Sequence, residues 1–256
     1  MTTLETDLCL VLDDNKIHEI ERRLHDSIWK KLIFSPSHSD LTTKEIPEQI
    51  IAFEYIHPED KVIEFGGSIG RNSCVINSLL CNKSNHVVVE PSPYELSTLQ
   101  TNRDSNGLAF QIANCAVSKI PLFSRAWSTY THKVKNSIPV KTVTWKEFQS
   151  TYQIAFNTVV ADCEGALVSM IEDFPEMLHG VSKIILEHDF LNRDQMSAFY
   201  EQMEQERFTC VCKYLKTSAF APGMDWPDGV KEDPVFVSVW KRTIQSSFCE
   251  LMNKIN

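Results

Sequence analysis

The chain has 256 residues, 43% of them hydrophobic and 23% charged, which are the proportions of a folded globular protein and exclude a disordered tail or a fibre. This length suits one α/β domain with an extension better than a tandem of large domains. Against 34 Asp and Glu stand 25 Lys and Arg, a formal charge of −9, so no basic excess exists to displace counterions from a phosphate backbone and nucleic acid is disfavoured as a partner.

Residues 1–8 carry acid where a secretory leader carries base, and no run of 18 apolar residues follows, so an intracellular, cytoplasmic protein without a membrane span is expected. Ile17, Ile20, Leu24, Ile28 and Leu32 recur three or four apart and predict an amphipathic helix over 16–33. A second helix is expected over 44–56, with Pro47 in its first turn and Pro58 beyond its end. From residue 61 short apolar runs alternate with helical patterns. Strands are expected at 61–65, 86–90, 108–113, 157–161, 183–187, 208–214 and 235–241, with helices at 70–81, 93–104, 144–150, 166–178 and 193–206. That alternation predicts an α/β fold with a doubly wound, seven-stranded, mostly parallel sheet. Only the irregular 215–233 stretch joins the last two strands, so the final one is expected to enter antiparallel. The 8 cysteines contain no Cys-x-x-Cys pair and several lie in apolar runs, as reduced thiols serving as small hydrophobic groups would.

A sheet of this kind binds its ligand outside the carboxyl ends of its strands. Gly66, Gly67 and Gly70 directly follow the 61–65 strand, where a glycine turn lets backbone approach a ligand and the next helix offers free N–H groups. A dinucleotide fingerprint ending at Gly70 would need glycine where the chain has Phe65, and Glu64 would repel a pyrophosphate. A cationic ligand inverts that argument: Glu64 would attract the amino group of S-adenosylmethionine, which also bears a sulfonium. Glu90 ends the next strand, where an acid accepts hydrogen bonds from a ribose diol. After the third strand Asn114, Cys115 and Ala116 offer a polar group for an adenine edge and room for its ring. The fourth strand runs into Asp162-Cys163-Glu164-Gly165, whose two carboxylates share a side if the chain stays extended, the alternative being that Asp162 caps the next helix. The fifth ends in Leu186-Glu187-His188-Asp189, a further acid–base cluster on the same edge.

Taken in order, Val62 through Gly70, Val89-Glu90-Pro91-Ser92-Pro93, Asn102, Asn106 and Asp162-Cys163-Glu164-Gly165 resemble the FkbM family of S-adenosylmethionine-dependent O-methyltransferases over roughly residues 60–190. The resemblance implies a Rossmann-like methyltransferase domain over 58–245, preceded by an N-terminal helical extension, 1–57, and followed by a tail, 246–256. It also implies S-adenosylmethionine as methyl donor and a hydroxyl of a sugar, glycan or other small molecule as acceptor. Carried over to this chain, Glu64 and Gly66 belong to the methionine end of the donor, with Gly67 and Gly70 in the same turn, and Glu90 to its ribose. The chain departs from the family in having Gly67-Ser68 for Ala-Asn, Val160 for a lysine and Leu167 for a glutamate.

Methyl transfer to an alcohol requires in-line alignment and a base or a metal to take up the proton. His188 has the side chain whose ordinary pKa, ~6.5, suits a base. Asp162, Glu164 and Asp189 are candidates for base, substrate ligand or oxygen donor to Mg²⁺ or Mn²⁺, with Asp162 and Asp189 the metal candidates and Asp162 expected to be essential. Two other readings compete. One is a cap ribose 2′-O-methyltransferase built on Lys61, Asp162, Lys183 and Glu187, although both lysines start their strands, away from the carboxyl edge. The other is an inactive donor-binding scaffold, suggested by Val160. Acceptor recognition is expected in two irregular stretches, 118–140 with Phe123, Trp127 and Tyr130, and 215–233 with Phe220, Pro222, Trp226 and Pro227 beside Asp225, Asp228 and Lys231.

Overall fold

The computed structural model describes residues 9–34, 45–126, 128–216 and 233–243. Trp127, the 217–232 part of the second acceptor stretch with Phe220, Pro222, Asp225, Trp226, Pro227, Asp228 and Lys231, the 246–256 tail and Cys249 lie outside the described residues.

The chain opens with a two-residue strand β1 (Leu10–Val11) and helix α1 (Asp14–Ser27). Asp13 starts α1 by accepting a hydrogen bond from the backbone N–H of Lys16, two residues earlier than the apolar spacing indicates, and a short 3-10 turn, Trp29–Lys31, ends the segment. Helix α2 (Ile46–Tyr55) carries Pro47 in its first turn, where a missing N–H is harmless. The central α/β succession follows: β2 (Val62–Phe65), α3 (Arg71–Leu79), β3 (His86–Val89), α4 (Pro93–Ser105) and β4 (Gln111–Ala113). Next come five short strands, β5 (Ala116–Val117), β6 (Leu122–Arg125), β7 (Ser128–Tyr130), β8 (Ile138–Val140) and β9 (Thr142–Val143). The remainder is α5 (Trp145–Tyr152), β10 (Thr158–Ala161), α6 (Ala166–Asp173), β11 (Lys183–Glu187), α7 (Arg193–Gln205), β12 (Phe208–Leu215) and β13 (Val235–Arg242). The expected 166–178 helix breaks before Pro175, which lacks the N–H that would continue it, and resumes as a 3-10 turn over Pro175–Leu178.

All seven expected strands form one sheet, and β1 adds an eighth at its edge, parallel to β12. The order is β1-β12-β13-β11-β10-β2-β3-β4, with β13 alone antiparallel to its neighbours β11 and β12. The chain therefore winds outward from β2 through β3 to β4, then returns to place β10 on the other side of β2. Where the winding reverses, the carboxyl ends of β2 and β10 leave a crevice that neither following helix covers. The stretch expected to be irregular, 118–140, instead forms a small antiparallel sheet β7-β6-β8, while β5 and β9 pair in parallel as a separate two-stranded sheet. The strands of the antiparallel sheet are three or four residues long and mix apolar with polar residues, too short to show an alternating apolar pattern.

Helices cover both faces of the large sheet. On one, α5, α6 and α7 bury Phe148, Leu167, Ile171, Phe199 and Met203 against Ile63, Phe65, Val159 and Ile184. On the other, α1 and α2 bury Ile17, Ile20, Leu24, Ile50 and Ile51 against Val62, Val160, Ile185, Cys212 and Val239. The N-terminal helices thus share a core with the sheet, and their exit from it would expose apolar surface on several strands. Cys9 and Cys210 bring their sulfurs within 3.2 Å across the β1 edge, and the described cysteines are free thiols. No helix among the described residues is long and apolar enough to cross a membrane. Leu24 is fully buried at the centre of this second core, so Leu24→Ala should lower stability by ~2–5 kcal/mol in urea unfolding. A loss below about 1 kcal/mol would mean that α1 is not part of the cooperative unit.

Candidate active site

The crevice is built around one close backbone approach. Gly66 adopts a φ of +90°, and a Cβ there would lie 1.6 Å from the carbonyl oxygen of Asp162. Its N–H donates to Val89 O at the end of β3, and the Asp162 N–H donates to Phe65 O, so three strand ends are stitched together. Glycine is therefore demanded here by the protein's own backbone and not by the space a ligand needs. Gly67 and Gly70 face inward as well: a Cβ at 67 would meet Val88 Cγ1 at 2.2 Å, and one at 70 would meet Leu99 Cδ1 at 2.8 Å. Asn102 of α4 fastens the turn by donating to Ile69 O, and Asn106 clasps Ile33 through both its backbone groups, which gives these two asparagines architectural work.

The cleft has a volume of about 240 Å³. Of the residues expected to bind a donor, Gly66 and Glu90 line it. Glu90 is buried, with Oε2 accepting from the Ser68 N–H at 2.7 Å and Oε1 from the Ser92 N–H at 2.6 Å. Burial pushes its carboxyl up to about 7, against the pull of those two N–H groups. Asn114 does not line the cleft and instead donates to Glu90 O, holding the loop after β4 against the end of β3. Glu64 lies inside the sheet on the α1–α2 side, where Oε2 meets His86 Nε2 at 2.9 Å, away from the cleft. Val160 is the strand neighbour of Glu64 and is packed in the core beneath α1 and α2. The position where the resembled family carries lysine is thus a core position paired with the acid of β2, and it does not line the cleft.

Asp162, Cys163 and Glu164 also line the cleft. Their turn is held from behind: Asp189 Oδ2 accepts from the Cys163 N–H at 3.2 Å, and Gln195 donates to Gly165 O at 2.7 Å. Glu164 has a φ of +55° and Gly165 one of +77°, so the chain curls here and the extended i, i+2 arrangement does not occur. Burial, then the charge of Asp162, raises the Glu164 carboxyl, and the same two causes in the same order push Asp189 up to about 7. Asp189 serves the backbone and does not join Asp162 as a ligand set. His188, the expected base, is buried with Nδ1 2.6 Å from Asp233 Oδ2 and Nε2 2.7 Å from Ser238 Oγ. Both ring nitrogens are thereby engaged by protein, and burial holds the imidazole below its ordinary pKa despite Asp233. It does not line the cleft and is no base for a ligand bound there.

Two acids that the sequence reading passed over complete the site. Glu45, just before α2, lines the cleft and pairs with Arg71, and burial followed by the charge of Asp162 pushes it up to about 7. Glu48, in the first turn of α2, is buried, and one of its oxygens lies with one each from Asp162 and Glu187 inside a 4.8 Å group. The available signal was Glu48 standing three and four residues before Ile51 and Ala52, on the face of the helix that packs inward. Burial, then the charge of Asp162, raises the Glu187 carboxyl well above the ordinary range. The proposed lysine–acid tetrad is not assembled, because Lys183 reaches Asp60 Oδ2 and Tyr55 O at the amino end of the sheet.

Among the described residues, five carboxylates, Glu45, Glu90, Glu95, Asp162 and Glu164, and no basic side chain line this cleft. Such a lining favours a ligand with cationic or hydroxyl groups and repels a pyrophosphate.

A doubly wound α/β sheet with one antiparallel strand and a crevice at its switch point defines the class of protein. Among solved structures that resemble it are several methyltransferases of Rossmann-like fold. One, provisionally named an O-methyltransferase, from Klebsiella pneumoniae, is 13% identical, with a TM-score of 0.47 over 90% of this chain and 96% of that one. Another, from Streptococcus pneumoniae, provisionally named a tRNA (m1A22) methyltransferase and solved with S-adenosyl-L-methionine, is 13% identical at a TM-score of 0.44, covering 78% and 75%. The ribosomal protein L11 methylase of Lactobacillus delbrueckii subsp. bulgaricus is 9% identical at 0.47, covering 78% of both. Likeness at this level assigns neither a reaction nor a substrate. No family model matches the chain, and no curated protein matches it.

The pH dependence of stability follows from these acids. Glu45, Glu90 and Asp189, with pKa values raised to about 7, hold protons in the folded protein that the unfolded chain has already released above its ordinary carboxyl range. Their stabilising contribution is present at low pH and is lost as pH rises through about 7. His188 works in the opposite direction, since its lowered pKa favours folding as pH rises toward the ordinary histidine value, but it is one group against three. The ligand-free protein should therefore melt at a lower temperature at pH 8 than at pH 6, measured by calorimetry at constant ionic strength. A melting temperature that climbs over that range would contradict the assignment.

Proposed function

We propose that this chain is an S-adenosylmethionine-dependent O-methyltransferase of the FkbM kind, acting on a hydroxyl of a sugar, glycan or other small molecule. The observation that carries the reading is the acidic cleft at the switch point of the sheet, with Glu90 at the end of β3 and no basic side chain among the described residues of its lining. The donor set fits the group: Glu90 keeps lone pairs for a ribose diol after accepting from Ser68 and Ser92, and Val89, Ala116 and Val117 offer an apolar wall for an adenine ring. Glu45 and Asp162 supply negative charge for an ammonium and a sulfonium. When bound, S-adenosylmethionine supplies an electrophilic methyl group.

The protein's own part is to orient the acceptor hydroxyl and to receive its proton. With His188 turned away, Asp162 and Glu164 are the groups at hand for that, and Leu122 and Thr129 of the small sheet lie on the side open to an acceptor. The acidic lining argues against a phosphate-rich acceptor such as tRNA. The departure at Val160, on which the inactive-scaffold reading rests, falls on a core position outside the cleft lining.

S-Adenosylhomocysteine should bind with measurable heat, and Glu90→Ala should weaken it by ~1–3 kcal/mol through lost hydrogen bonds to charge. Neither heat nor a thermal shift with S-adenosylmethionine or S-adenosylhomocysteine would overturn the assignment, and a shift with NAD in their place would restore a dehydrogenase. Asp162→Asn should leave the melting temperature equal or higher, since it removes charge from a crowded group, while cutting turnover by at least about tenfold. Loss of stability with normal turnover would make Asp162 a purely structural residue.

A further inference from the structure

Asp162 lines the cleft, whereas the two acids that meet it from behind, Glu48 and Glu187, do not. The three come from separate elements: α2, the turn after β10, and the last residue of β11. One oxygen from each lies within 4.8 Å of the others. Two oxygens on opposite sides of a hard divalent cation are separated by roughly 4–5 Å, twice a metal–oxygen bond of ~2.0–2.6 Å, so one ion can reach all three.

A second observation is independent of that clustering. Oε2 of Glu48 is fully buried and has no hydrogen-bond partner. Glu48 is 5% exposed, and Ile50, Ile51 and Ala52, which follow it on α2, are fully buried in the core. Buried carboxylate oxygens in proteins are ordinarily paired or coordinate a metal. The basic side chain beside the group, Arg71, is already committed to Glu45. We propose that Glu48, Asp162 and Glu187 form a binding site for one hard divalent cation of the Mg²⁺ or Mn²⁺ class, with its remaining positions open to the cleft.

The role of the ion rests on the proposed methyl transfer: an acceptor hydroxyl bound to it would lose its proton more readily, which supplies the activation that His188 does not. The binding itself does not rest on that reading. The ligand set also differs from the pair expected from the sequence, since Asp189 is replaced by Glu48 and Glu187.

The test is titration of the full chain with Mn²⁺ at neutral pH, without nucleoside, followed by the loss of the free-ion electron paramagnetic resonance signal. The wild type should bind one Mn²⁺ per chain. Glu48→Gln and Glu187→Gln, each close to isosteric, should bind at least tenfold more weakly while their affinity for S-adenosylhomocysteine stays within threefold of wild type. Either variant decides the matter, should the other not fold. A wild type that takes up no Mn²⁺ at millimolar concentration, with a higher melting temperature in both variants, would mean that the three carboxyls only share protons, and would overturn the site while leaving donor binding intact. Stoichiometric Mn²⁺ lost in Glu48→Gln, with no binding of S-adenosylhomocysteine to any form, would uphold the cation site and overturn the methyltransferase.

Discussion

The ends of β2 and β10 lie so close that the backbone carbonyl of Asp162 occupies the space where any side chain at position 66 would begin. From that one contact the rest of the site follows. The turn after β2 must start with a residue that accepts a φ of +90° without a Cβ, and only then can Ser68 present its N–H to Glu90. Asp162 is carried to the rim of the crevice because its own N–H and carbonyl are pinned against that turn. The glycines after β2 are thus a device for bringing two strand ends and their carboxylates together, and the openness of the cleft is a consequence.

Much of the architecture was legible because the helix and strand periods differ and each core strand is short and apolar. Val62–Phe65, His86–Val89, Thr158–Ala161 and Lys183–Glu187 are buried on both faces and read as continuous hydrophobic runs, as parallel strands should. Glu90 and Asp162 could be placed at the carboxyl edge from their position at the strand ends alone. What the sequence concealed was direction. Glu64 and Phe65 are adjacent, yet the alternation of a strand sends Phe65 to the cleft side and Glu64 to the opposite face, where His86 receives it. His188 looked like a free base because nothing near it in sequence reveals Ser238 and Asp233, fifty and forty-five residues further on, which take both its nitrogens. Glu48 was hidden for a similar reason, since an acid on a short helix reads as a solvated face until the sheet beneath the helix is known.

The same acids impose a conflict between folding and ligand capture. Each carboxyl moved from water into the crevice raises the free energy of its charged form, so the ligand-free protein is eased by protonation. A cationic ligand would favour the charged forms instead, at carboxylates held in position by backbone N–H groups at Glu90 and by Arg71 at Glu45. On the proposed reading, neutralising individual acids would relax the fold and weaken a cationic ligand together. Proteins commonly show such opposition between stability and activity where charge is concentrated for function.

The N-terminal helices acquire a different standing in this light. As a sequence they form a detachable extension in front of an α/β domain, yet the residue that caps α2, Glu45, lines the cleft and α2 itself contributes Glu48 to the acid group behind it. Its register is fixed by Ile50, Ile51 and Ala52 against the sheet, and those contacts are shared with α1 through one continuous core. A change in that core therefore reaches the site through the position of two carboxylates rather than through any ligand contact. The helices that appear to precede the functional domain are the wall that makes its crevice acidic on that side.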